Sequence, residues 1–217
     1  MQKAPLYKRI LSYLYPVRFR HRSSEQNPVL ELYLYHNQWQ LATVDALYSD
    51  GNRYTPLTAA FKEIDNDLPS IKDVLVLGTG IGSAVQILNQ KGYKPNFVLV
   101  DSDELILQWA IELLEAANPK NLVPICTDAK DFIVADTNTY DLIIIDIFQG
   151  RIVPAFVTNI DFFEKCKSRV KPGGKLVFNY IINKPETWDK VMLLINDIFP
   201  NNKLIKLGIN RIFVATV

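Results

Sequence analysis

Between residues 73 and 217, short unbroken apolar runs take turns with longer stretches in which apolar side chains recur every three or four positions. The runs DVLVLG, NFVLVD, LVPICTD, YDLIIID and KLVFNYI predict strands. Unbroken apolar character is what a parallel-sheet strand needs when helices cover both of its faces. The periodic stretches predict helices over 83–91, 103–117, 129–134, 158–169 and 186–198. The helix at 158–169 stops before Lys171-Pro172-Gly173-Gly174, read as a tight turn feeding the next strand. KLIKL and RIFVATV end the chain as two strands joined by Gly208-Ile209-Asn210, which requires an antiparallel strand at the sheet edge. The alternation predicts an α/β fold with a doubly wound, mostly parallel seven-stranded sheet and ligand at the carboxyl ends of its central strands.

Ahead of residue 73 the pattern differs. Leu6, Ile10, Leu11 and Leu14 fall at helical spacing within 5–15, and Pro16 ends that segment. After VRFRHR, the stretch VLELYLYHNQWQLATVDAL reads as two strands around His36-Asn37-Gln38, a hairpin. Residues 54–67 predict a helix leading to Pro69. The chain therefore divides into an N-terminal helix and β-hairpin region, 1–52, and a Rossmann-like domain, 53–217.

Composition changes this picture little. The 217 residues are 48% hydrophobic and 22% charged, which is ordinary for a packed domain. A net charge of +1 makes no overall case for nucleic acid. Lys3, Lys8, Arg9, Arg18, Arg20 and Arg22 all precede the first acid, Glu25; they read as a solvated face or as a polyanion-binding arm. Cys126 and Cys166 lie far apart, and His21 and His36 fall in no ligand-spaced cluster, so neither a disulfide framework nor a metal site is expected. The N-terminus lacks the pattern of a secretory signal, and no apolar run approaches the ~18 residues that span a bilayer. These features lead to the expectation of a soluble, cytoplasmic protein without a membrane partner.

The chemistry is concentrated after the first strand of the α/β part. VLVLGTGIGSA runs an apolar strand through Gly78, Thr79, Gly80, Ile81 and Gly82 into a helix, a form that brings backbone close to a nucleotide. Asp101 ends the second strand, followed by Ser102, where an acid can accept both ribose hydroxyls; either residue could instead cap the helix after it. Asp128, followed by Ala129, ends the third strand and could accept an adenine amino group or serve as an N-cap. Asp146 ends the fourth strand. The nicotinamide fingerprint prefers glycine or alanine at Ser83 and has no use for Asp128, so the set fits S-adenosylmethionine better than NAD.

Over roughly residues 30–182 the chain resembles the spermidine synthase-like branch of the class I S-adenosylmethionine-dependent transferases, and the fold that this implies extends to residue 217. Val76 stands two residues before the first glycine, where ordinary class I methyltransferases carry an acid and the spermidine synthases do not. TDAKDFI is similar to the family's GDA-x-x-FL segment. YDLIIIDIFQG, Pro154 and FVTNIDFFEKCKSRVKPGGKLVFN follow its fourth strand, gate loop, helix and fifth strand. Tyr54 falls where the family has a substrate-side tyrosine. The resemblance implies a class I methyltransferase-like fold, an acceptor that is a small molecule or protein, and a possible homodimer.

Two positions depart from the family pattern. The synthases have Gly-Gly-Gly-Asp-Gly at the first turn, with the acid holding the amine of decarboxylated S-adenosylmethionine; this chain has Ile81 there. They also carry Asp-x-x-Asp after the fourth strand, and the second acid takes the acceptor's proton. Here the sequence is Asp146-Ile147-Phe148-Gln149. An amide has neither the charge nor the basicity for that role. The expectation is therefore intact S-adenosylmethionine as cofactor ahead of the decarboxylated form, and methyl transfer to an unidentified acceptor. Asp146 would orient or deprotonate the acceptor, or only brace its loop. Phe148, Gln149 and Tyr180 would line the acceptor side, with Gln40 and Tyr54 arriving from the N-terminal part. The alternatives are a polyamine aminopropyltransferase with altered acids and a catalytically silent partner subunit.

Overall fold

The computed structural model describes residues 4–115 and 121–217; the last two residues of the helix expected over 103–117, and Lys3 of the basic run, lie outside them. The N-terminal part is a short helix, α1 (Leu6–Leu11), and a four-stranded antiparallel sheet of β1 (Val17–Arg22), β2 (Leu30–Tyr35), β3 (Gln38–Ala42) and β4 (Leu47–Ser49), paired in chain order. The expected hairpin is thus the middle of a meander. Its turn is tighter than the sequence reading, because His36 and Asn37 both take positive φ, 48° and 58°, and Gln38 already pairs with Tyr35. Such two-residue turns match the twist of the strands they join. α1 stops at Leu11 rather than 15. Ser12 is drawn onto the hairpin turn, where its carbonyl accepts the His36 N–H at 2.8 Å and its hydroxyl accepts the Asn37 N–H at 2.9 Å. Leu6, Ile10 and Leu14, which fall at helical spacing, lie on the surface.

The larger part contains α2 (Thr55–Glu63), β5 (Asp73–Leu77), α3 (Ser83–Gln90), β6 (Asn96–Asp101), α4 (Glu104–Glu115), β7 (Leu122–Cys126), α5 (Ala129–Ala135), β8 (Tyr140–Ile145), α6 (Ile160–Ser168), β9 (Val170–Ile181), α7 (Pro185–Ile198), β10 (Asn202–Leu207) and β11 (Asn210–Thr216). Its seven strands are ordered β10-β11-β9-β8-β5-β6-β7. The antiparallel pairing expected at the sheet edge is present, with β11 the reversed strand between β9 and the outermost β10. The KPGG segment is not a separate turn. It lies within β9, where the pairing with β8 slips from Tyr140↔Val170 to Leu142↔Lys175.

Alternate residues of each central strand face opposite sides. Val74, Val76, Leu142 and Ile144 pack with α2, α3 and α4; Leu75, Leu77, Ile143 and Ile145 pack with α5, α6 and α7. Both faces are therefore apolar, as the unbroken runs required. β6 lies on one side of β5 and β8 on the other. The chain thus winds away in both directions from the carboxyl end of β5, which opens a crevice there. No helix among the described residues is long and apolar enough to cross a membrane.

Candidate active site

The loops after β5, β6, β7 and β8 surround an open cleft of about 940 Å³ at that crevice. Gly78, Thr79 and Gly80 form its base, Asp101 and Asp128 one side, and Asp146, Phe148 and Gln149 the other. Tyr48 and Ser49 of the N-terminal sheet close it from above. Its charge is one-sided: Asp101, Asp103, Asp128 and Asp146 line it, with no lysine, arginine or histidine among the described lining residues.

The glycine loop divides its labour. Gly78 has φ 88°, and a Cβ on it would stand 2.3 Å from the carbonyl oxygen of Asp146, so the ends of β5 and β8 can approach only through glycine. Gly82 serves packing: a Cβ there would stand 2.6 Å from Leu114 Cδ1 of α4. Gly82 does not line the cleft, contrary to the sequence expectation. Neither does Ile81, which has no exposed surface and packs among Leu30, Leu32, Leu41, Ile106, Trp109 and Leu113. An apolar side chain beside the N-terminal sheet gains more by facing those leucines than by facing solvent. Position 81 thus reads no ligand in this conformation. The loop N–H groups are largely engaged within the protein: Gly78 donates to Val100 O at 2.9 Å, Thr79 and Gly80 to Asp101 Oδ2 at 3.0 and 3.3 Å, and Gly82 to Thr79 O at 3.0 Å.

Asp101 caps no helix. Its carboxylate braces the glycine loop through Oδ2 and accepts the Asp103 N–H at 3.0 Å through Oδ1. Burial pushes its carboxyl up to about 6, against the lowering effect of those three N–H donors. The cap of α4 is Asp103, which sequence reasoning passed over: its Oδ1 accepts the N–H groups of Leu105 and Ile106 at 3.0 and 3.3 Å. Its Oδ2 accepts from the Ser24 hydroxyl and, at 2.7 Å, from Asn27 Nδ2. Ser102 is exposed at the cleft. Asp128 does cap α5, accepting the Lys130 N–H at 2.7 Å, and it lines the cleft beside the buried Ala129.

At the other end Asp146 forms a polar cluster with two residues of distant elements. Asn179 Nδ2 donates to Asp146 Oδ1 at 2.8 Å, and the Tyr54 hydroxyl donates to the same oxygen at 3.3 Å. Asn179 Nδ2 also reaches the Tyr54 oxygen at 3.2 Å, while Asn210 Nδ2 donates to Asn179 Oδ1 at 2.9 Å. Burial pushes the Asp146 carboxyl up to about 6, opposed by Asn179 and Tyr54. Burial and then the Asp146 charge hold the Tyr54 phenol well above its ordinary value. The result is a carboxylate that accepts protons near neutral pH, fixed in direction by a phenol and an amide. Asn179 was missed, although a polar residue with no exposed surface inside the run KLVFNYI is a visible anomaly. Asn210 carried no such signal.

Phe148 and Gln149 line the cleft as expected. Three other expected substrate residues do not; of these, Tyr54 still reaches Asp146 through its hydroxyl. Gln40 lies on β3 and donates to Asp50 at 2.9 Å, because the register of the meander turns it toward that loop. Tyr180 is buried in the core against Phe178 and Trp188, one residue out of phase with Asn179 on β9. Tyr48 was not anticipated: its hydroxyl accepts the Gly150 N–H at 2.6 Å and donates to Asn27 Oδ1 at 2.9 Å, tying the N-terminal region to the loop after β8. Among the described residues, no group of three or more His, Cys, Asp or Glu side chains could hold a metal ion.

Residues 64–198 match the family model of the spermine/spermidine synthase domain. The chain is 27% identical over 127 residues to a probable polyamine aminopropyl transferase of Bifidobacterium longum, covering 57% of this chain and 28% of that protein. It is 27% identical over 113 residues to an N-terminal histidine N-methyltransferase of Emericella nidulans, covering 50% of this chain and 20% of that protein. The chain thus spans under a third of the length of these two curated relatives. Its fold is similar to that of a probable spermidine synthase from Corynebacterium glutamicum, with a TM-score of 0.74 at 19% identity, covering 93% of this chain and 80% of that one.

Proposed function

The chain belongs to the spermine/spermidine synthase family, and from that premise we propose that it transfers an aminopropyl group from decarboxylated S-adenosylmethionine to an amine. The observation that carries this reading is Asp146, a carboxylate raised to about 6 and aimed by Asn179 and Tyr54 at the end of β8. Asp101 would take the ribose hydroxyls and Asp128 the adenine amino group, with the sulfonium set toward Asp146. The acceptor nitrogen attacks the carbon next to sulfur. As the C–N bond forms, the C–S bond breaks, its electron pair stays on sulfur as a neutral thioether, and the nitrogen's proton passes to Asp146 or through it to water. Alignment in the cleft supplies much of the acceleration, about 7–11 kcal/mol in favourable cases. A base of this kind contributes a further ~10²–10⁴-fold.

The electrostatics of the cleft favour a donor whose tail carries an ammonium and no carboxylate. Four aspartates line it, with no basic side chain among the described lining residues, and the Thr79 and Gly80 N–H groups that could cradle a carboxylate already serve Asp101. Methyl transfer from intact S-adenosylmethionine, the sequence-based expectation, is the second reading; Gln149 favours it, an amide where the family pattern has its second acid.

The test is incubation with each donor and a panel of amines, followed by mass spectrometry of the nucleoside released. 5′-Methylthioadenosine from the decarboxylated donor, lost in Asp146→Asn, is the expected result. S-adenosylhomocysteine from intact donor, with no product from the decarboxylated one, would replace aminopropyl by methyl transfer. No turnover of either would leave a silent partner subunit.

A further inference from the structure

Asn179 has no exposed surface, so solvent does not choose which end of its amide faces Asp146. The two ends differ in kind: the nitrogen donates and the oxygen accepts. In the observed orientation Nδ2 serves Asp146 Oδ1 and the Tyr54 oxygen, while Oδ1 accepts from Asn210 Nδ2 at 2.9 Å. Turned over, the amide would set its carbonyl against the carboxylate and its NH2 against the NH2 of Asn210. The register of the sheet brings Asn210 there. Asn179 pairs with Ile212 and Ile181 with Asn210, so the two asparagines are diagonal neighbours on one face of β9 and β11. Arg211 turns to the other face, over Trp188.

Asp146 selects that orientation only while it is ionised. Once protonated, its hydroxyl would donate to an Asn179 carbonyl equally well. Asn210 selects the same end of the amide in either state. Among the described residues, the hydrogen bonds to the Asp146 carboxylate all end on Oδ1. Resting on the transfer reaction proposed above, we infer that Asn210 is a positioning residue: through Asn179 it locks an N–H onto Asp146 Oδ1 and leaves Oδ2 to take the acceptor's proton. It thereby favours the carboxylate over the acid, against the burial that raises it. The Tyr54 phenol, the titratable group in contact with Asp146, is held protonated, and Asp101 and Asp128 stand across the cleft.

The test follows Asp146 itself, without donor or acceptor. In protein labelled with carbon-13 at the aspartate carboxyls, the Asp146 resonance is assigned by its loss in Asp146→Asn and titrated by NMR. Asn210→Leu, close in size but without the donor, should move the midpoint from about 6 upward by about one pH unit. In an Asn179→Ala background the same change should move it no further, because its effect passes through that amide. Asn210→Asp, which keeps the size of asparagine and accepts where it donates, should shift the midpoint more in the native background than beside Asn179→Ala. The acid limb of kcat/KM for aminopropyl transfer should move with the midpoint in each variant. An unmoved midpoint in Asn210→Leu, or a shift from either variant that is as large beside Asn179→Ala, would overturn the inference and leave the reaction standing. A shifted midpoint in a protein that transfers nothing would keep the relay of amides and overturn the reaction, and with it the role of Oδ2.

Discussion

Asp146→Asn separates the chemistry of the site from its stability. The variant keeps a carbonyl oxygen where Oδ1 accepts from Asn179 at 2.8 Å and Tyr54 at 3.3 Å, so both hydrogen bonds can persist. What it removes is a carboxyl that titrates at about 6 in the folded protein, against an ordinary 3.8. Because the folded state holds that proton more tightly than the unfolded chain, stability falls as pH rises from about 4 to 6 and stays reduced above that. A shift of this size corresponds to about 3 kcal/mol, or about 2–3 kcal/mol once the open cleft is allowed for. For a domain of this length the variant should melt about 4–12 °C above the wild type at pH 7.5. The advantage should vanish below pH 4, where both proteins are neutral at this position. Thermal melts across pH 4–8 measure it, and Asp101, raised in the same way, should leave part of the pH dependence in the variant. A variant no more stable than wild type at pH 7.5, or an advantage that does not change with pH, would refute the argument. A stabilised protein without transferase activity is the combined expectation.

Asp101→Asn should weaken binding of 5′-methylthioadenosine by about 10- to 100-fold in calorimetric titration, since charge-assisted bonds to the ribose become neutral ones. An unchanged dissociation constant would leave Asp101 as a brace for the glycine loop alone. Ile81→Asp places an unpaired charge where no surface is exposed, among Leu30, Leu32, Leu41 and Trp109, and should cost about 3–5 kcal/mol of stability in thermal or denaturant unfolding. An unchanged melting temperature would mean that position 81 opens onto the cleft and can hold a donor amine.

The alternation of apolar runs with helical periods was enough to determine the doubly wound sheet, because burial on two faces leaves a mark on every residue of a strand. The glycine loop and the acids Asp101, Asp128 and Asp146 were legible for a similar reason: a strand end at a crevice is a position along the chain, and its residue type can be read there. The facing of individual side chains was not legible. Ile81 and Gly82 sit between cleft-lining residues in sequence yet turn onto the N-terminal sheet and α4, and only the packing of those elements decides this. Tyr180 and Asn179 are neighbours on β9, and the strand's period of two puts one in the core and the other against Asp146. Asp103 takes the cap of α4, where sequence allowed Asp101 or Ser102, and its carboxylate is fixed by Ser24 and Asn27 from a loop almost eighty residues earlier in the chain. Sequence determined which groups stand at the crevice. The tertiary structure determined which of them share it, because contact between remote segments depends on how the two sheets pack and on no local pattern.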